Sequence, residues 1–140
     1  MKKFVIFTTL LIILSSCSAT SEKSVVINNI KVDVEIADTD ELRYNGLSNR
    51  EELCDNCGML FSWNDKKERI FVMRNMNFAL DIIFIDDDEI VEISKNAFPE
   101  GKDYVMQYKS GEPVNYVLEV NAGFCDEYDI EVGDGVEINL

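Results

Sequence analysis

Alternation of apolar and polar residues sets the frame. Val25-Val26-Ile27, Asn28-Asn29 and Ile30-Lys31-Val32-Asp33-Val34-Glu35-Ile36 predict a β-hairpin. Paired Asn residues suit the positive φ of a type I′ turn, and the second arm puts its apolar side chains on one face. Asp38-Thr39-Asp40-Glu41 offers an N-cap, so Glu41 to Asn49 is expected to form one short helix, with Leu42, Leu47 and Leu53 towards the core. Asn64-Asp65-Lys66-Lys67 reads as a turn between two strands. Ile82-Ile83-Phe84-Ile85 and Glu89-Ile90-Val91-Glu92-Ile93 predict a second hairpin around Asp86-Asp87-Asp88. Residues 94–113 contain both prolines and are expected to be mostly loop. Val114–Val120 and Gly135–Ile138 supply closing strands, with Gly133-Asp134-Gly135 as a turn. Many short strands and one helix near residues 40–49 predict a mostly β (α+β) single domain, a β-sandwich or flattened barrel.

The first residues break this pattern. Lys2 and Lys3 precede an uncharged apolar run, Phe4 to Leu14, too short for the roughly 20 residues that span a bilayer. The run ends in Leu14-Ser15-Ser16-Cys17, which resembles a bacterial lipobox. The expected organisation is a signal peptide at 1–16, Cys17 lipidated and followed by a short polar tether to Ser24, and one domain from Val25 to Leu140. The expected location is therefore extracytoplasmic, with the lipid on Cys17 as the contact with the bacterial membrane.

Charge narrows the partners. The chain has 13 basic and 27 acidic side chains, a net charge of −14, becoming about −16 once Lys2 and Lys3 leave with the leader. Such a surface repels phosphates, so nucleic acid is not an expected partner. The absence of histidine removes Ser-His-Asp and Cys-His catalysis and histidine-ligated zinc. No cofactor and no metal are expected. Asp86-Asp87-Asp88-Glu89 lacks the glycine and spaced ligands of an EF-hand and reads as a solvated turn.

With Cys17 assigned to lipid, Cys54, Cys57 and Cys125 remain. The Cys54-Asp55-Asn56-Cys57 spacing is shared by redox and zinc motifs, but a strand is expected after it where a redox motif has a helix. A structural disulfide is the expected use. Its partners stay open among three pairings, of which either one to Cys125 closes the longer loop.

The most informative block runs from Gly58 to Asp86, where Arg74, Asn75 and Asp81 interrupt apolar stretches. Buried charge is costly unless paired and hydrogen-bonded, so these residues form either a clamp or a binding site. Arg43-x-x-Gly46-Leu47-x-x-Arg50, the Gly58–Asp86 block and Tyr116-Val117-Leu118-Glu119-Val120-Asn121-Ala122-Gly123 together resemble the DUF192 family (UPF0127), from about Val25 to Leu140. The resemblance implies a compact, mostly β fold and no established activity. This chain departs from the family pattern at Val72, Met76, Ala79 and Ser48.

Arg43, Arg50, Arg74, Asn75, Asp81 and Glu119 form the candidate polar set. One reading makes them two Arg–carboxylate pairs that fix loops to the sheet. A second lets Arg74, Asn75 and Asp81 line a pocket for a small polar ligand or sugar. A third joins Asp81 and Glu119 as the carboxylate pair of an envelope-glycan hydrolase. The function expected is a non-catalytic binding module for an envelope component, a small ligand or a partner protein. The hydrolase is the alternative.

Overall fold

The computed structural model describes residues 23–140; Cys17 and the leader lie outside the described residues. Seven strands form one sheet in the order β5-β4-β6-β3-β2-β1-β7. In chain order they are β1 (Ser24–Ile27), β2 (Ile30–Ala37), β3 (Cys57–Phe71), β4 (Leu80–Asp86), β5 (Glu89–Ala97), β6 (Tyr108–Asn121) and β7 (Val136–Asn139). Helix α1 (Asp40–Asn45) joins β2 to β3, and α2 (Phe124–Glu127) follows β6. The sheet curls until its edges meet. Glu89 of β5 bridges Gly135 beside β7, and Ile90 exchanges backbone bonds with Gly133 and Asp134. The result is a half-barrel, consistent with the flattened barrel expected.

At the centre of this sheet both faces are buried. One carries Val32, Val34, Leu60, Ile83, Leu118 and Val120, covered by Phe124, Cys125 and Ile130. The other carries Met59, Phe61, Ile82, Phe84 and Val117, covered by Leu47, Met73 and Met76. Burial on both sides explains why β4 reads as a continuous apolar run rather than an alternation. The central pair, β3 and β6, needs a close approach at Gly58. A Cβ there would lie 2.8 Å from the Glu119 carbonyl oxygen and 3.0 Å from Leu118.

Both expected hairpins form. Asn28 and Asn29 have φ of 51° and 65°, and Asp87 has 55° in the β4–β5 turn. There Lys66 places its ammonium 2.6 Å from both Asp86 and Asp87, so a cation already answers the acidic turn. Thr39 caps α1 by accepting from the Leu42 N–H. The helix stops at Asn45, earlier than expected, because Gly46 takes φ 48°. Leu47 is buried but Leu42 is exposed.

Two expectations are corrected. Asn64–Lys67 is not a turn: β3 runs through it as a bulge, with residues 63–66 opposite Asn115 alone. Residues 94–113 are not mostly loop either. β5 continues to Ala97 and β6 begins at Tyr108 to pair with the far end of β3, leaving only 98–107 irregular.

Candidate functional site

Register separates the two buried carboxylates. In the β4–β6 ladder Asp81 pairs with Val120 and Ile82 with Glu119. Directly opposed residues share a face and successive residues alternate, so Asp81 and Glu119 point to opposite sides of the sheet. They cannot act together on one bond, which overturns the hydrolase pair.

Asp81 is fully buried and fully used. Its Oδ1 accepts from the Asn96 N–H at 2.9 Å, and its Oδ2 from the N–H groups of Gly123 at 3.1 Å and Cys125 at 2.9 Å. It therefore ties β4 to β5 and to the start of α2, and it takes no part in a pocket. Beside it the Cys125 thiol is pushed up to about 12 by burial and then by the Asp81 charge. Such a thiol is unreactive.

Glu119 is the opposite case. It is 5 % exposed, and no side-chain or backbone group among the described residues hydrogen-bonds or ion-pairs with its carboxyl. Burial pushes it up to about 8, so the carboxyl is neutral at pH 7. It lines a pocket of about 300 Å³. Around it stand Leu47, Ser48 and Met76, with Phe61, Trp63 and Phe71 as aromatic walls. Phe61 meets Phe71 edge-on at 4.8 Å, and Trp63 stacks on Phe61 at 6.4 Å. Tyr44 and Ile70, both exposed, mark the mouth. The β3 bulge presents Trp63 here, and a Cβ at Gly46 would lie 3.3 Å from the Phe61 ring.

Two arginines of the candidate set reach the pocket. Arg43 donates to the Ser62 carbonyl at 2.7 Å and to Asp40 at 2.8 Å, beside the Trp63 ring. Arg69 lies over the same ring at 4.2 Å. Arg74 donates to the Tyr44 carbonyl at 2.6 Å and lies 3.9 Å from the Tyr44 ring centroid, but pairs with no carboxylate among the described residues.

The remaining candidates lie elsewhere. Arg50 forms a bidentate pair with Glu35, at 2.5 and 2.8 Å. That hydrogen bond holds Glu35 below and Arg50 above its ordinary range. Asn75 acts through its backbone at φ 54°, where Asn is tolerated. Its N–H donates to Gly101 and its carbonyl accepts from Asn49, each at 2.8 Å. Of the two expected Arg–carboxylate pairs, Arg50–Glu35 ties a loop to β2 in bidentate geometry, but the carboxylates that Arg50 and Arg43 take are the surface residues Glu35 and Asp40, not Asp81 or Glu119.

Cys54 is bonded to Cys57, the shortest of the three possible loops, and Cys125 is left free and buried. Asn121 holds this corner by donating to the carbonyls of Leu53 and Cys54.

The sequence reading missed the aromatic walls. The available signal was Phe61 and Trp63 spaced two apart on one strand face, with Trp63 as the only tryptophan.

Comparisons with known proteins agree with this architecture. The DUF192 family (described as Uncharacterized ACR) matches residues 23–138. A crystal structure of a candidate transcription regulator from Sinorhizobium meliloti is 30% identical, covering 84% of this chain and 92% of its own, at a TM-score of 0.74. A protein of unknown function from Novosphingobium aromaticivorans is 33% identical, covering 83% of each chain, also at 0.74. No curated protein matches. With the family pattern spanning nearly the whole described domain, the chain belongs to the DUF192 family.

Proposed function

We propose that this protein is a lipid-anchored, extracytoplasmic binding module whose pocket beside Glu119 takes a small polar ligand from the cell envelope. One observation carries the reading: Glu119, a residue only 5 % exposed, has no protein partner for its carboxyl among the described residues and lines an aromatic-walled pocket. A few polar groups within an apolar cleft are the usual composition of ligand pockets.

The location rests on different support. Cys17 follows a leader-like apolar run, and a Cys54–Cys57 disulfide suits an oxidising compartment. Transcription regulation, the description attached to the Sinorhizobium protein, does not transfer easily to a chain of net charge −14.

Two experiments test the proposal. A small-molecule fragment set is titrated against Trp63 fluorescence in the native domain and in Val72→Phe, which narrows the pocket. Hits are expected in the first and at least ten-fold weaker in the second; silence in the native domain overturns the pocket reading. For anchoring, Cys17→Ser is expected to lose both fatty-acid labelling and membrane fractionation. An unlabelled native protein overturns that part.

A further inference from the structure

Resting on the pocket reading, a second imbalance in the same cavity narrows the ligand class. Arg74 lines the pocket with Glu119 and has no carboxylate partner, while Glu119 has no cation or hydrogen-bond partner among the described residues. The two groups leave each other unanswered as well, since no ion pair joins them within 4.0 Å. Phe61, Phe71 and Trp63 line the same pocket. A ligand matched to this arrangement carries a positive end, a negative end and an apolar body.

We infer that the pocket takes a small amphiphilic zwitterion of amino-acid to dipeptide size, its ammonium against Glu119 and its carboxylate against Arg74. A simple anion satisfies one end only. Placed at Arg74 it leaves Glu119 unpartnered, and placed at Glu119 it leaves Arg74 without a counter-ion. A simple cation has no group to answer Arg74, whose charge no carboxylate offsets among the described residues. The acidic surface, −14 for the whole chain, favours approach of the positive end.

Binding then includes a proton step. The free carboxyl titrates at about 8. Seating an ammonium on it at neutral pH converts the acid to carboxylate, and its proton leaves to the buffer. The charged or titratable groups sharing the pocket are Arg43 and Tyr44 from α1 and Arg74 from the β3–β4 connection. The two strands flanking Glu119 oppose it with apolar Met59 and Ile82.

The test uses three probes with one aromatic body. L-phenylalanine has both charges, L-3-phenyllactate replaces the ammonium by hydroxyl, and phenethylamine lacks the carboxylate. Trp63 fluorescence and calorimetry read binding to the native domain. L-phenylalanine is expected to bind at least ten-fold tighter than either analogue, and roughly eight-fold tighter at pH 7.5 than at 6.5, as the ionised fraction of Glu119 rises. At pH 6.5 about one proton should be released, visible in buffers of different ionisation enthalpy. Glu119→Gln should weaken L-phenylalanine at least ten-fold, abolish the pH dependence and spare phenyllactate. Phenyllactate binding as tightly as phenylalanine overturns the zwitterion and leaves the pocket reading standing. Silence from all three probes also overturns it, whereas the pocket reading falls only if the fragment set is silent too.

Discussion

Asp81 and Glu119 sit one register step apart across β4 and β6, are 0 % and 5 % exposed, and belong to opposite faces of one sheet. On its face Asp81 receives three backbone N–H groups and organises the chain around itself. On the other, Glu119 receives none and opens into an aromatic pocket. Equal burial therefore carries no functional information by itself. What separates a structural carboxylate from a candidate binding group is whether the protein has already satisfied it.

The sharpest break of this comparison comes from removing each carboxylate in turn. Asp81→Ala strands three backbone donors, of which the Cys125 N–H is fully buried, and a loss of about 3–5 kcal/mol is expected in denaturant unfolding. A loss below about 1 kcal/mol would remove its structural role. Glu119→Gln should behave oppositely, with a pH signature. Below about 4.5 the native carboxyl is protonated in both folded and unfolded chains and contributes no slope. Between 4.5 and about 8 the folded state keeps a proton that the unfolded state has released, so rising pH favours unfolding. Relative to Glu119→Gln the native protein should lose about 1.4 kcal/mol per pH unit, on the order of 3 kcal/mol by pH 7. Parallel stability–pH curves for the two proteins would contradict this.

Smaller effects sharpen the picture. Gly58→Ala forces a Cβ against the Glu119 carbonyl and Leu118, and about 1–3 kcal/mol of destabilisation is expected. A shifted β3–β6 contact should also disturb the pocket, readable as a changed Trp63 emission. Arg50→Lys should cost less than about 1 kcal/mol, because its partner Glu35 is largely exposed. A larger loss in thermal unfolding would return the Arg50–Glu35 pair to the framework of the fold.

Local chemistry was legible in the sequence where local chemistry decides the outcome. Asn28-Asn29 announced their hairpin, Thr39 its helix start, and the acidic triplet at 86–88 its turn. Asn64–Lys67 misled because polar, turn-forming residues serve equally well in an outward bulge, and only the length of β6 keeps β3 paired beyond it. Of the candidate residues, Arg43, Arg74 and Glu119 line the pocket and Asp81 is buried. Their grouping was not readable. Which face Asp81 shares with Glu119 depends on a register between strands 38 residues apart, and a one-residue slip would reverse it. The same holds for Arg50, whose partner Glu35 comes from β2.

The central claim concerns the state of one carboxyl, and a ¹³C NMR titration of the Glu119 side chain in the unliganded domain reads it directly. A midpoint near 8 is expected, with Glu119 protonated at neutral pH. A midpoint near the ordinary 4.5 would show that water or a protein group already satisfies it, and would contradict the distinction drawn between the two faces.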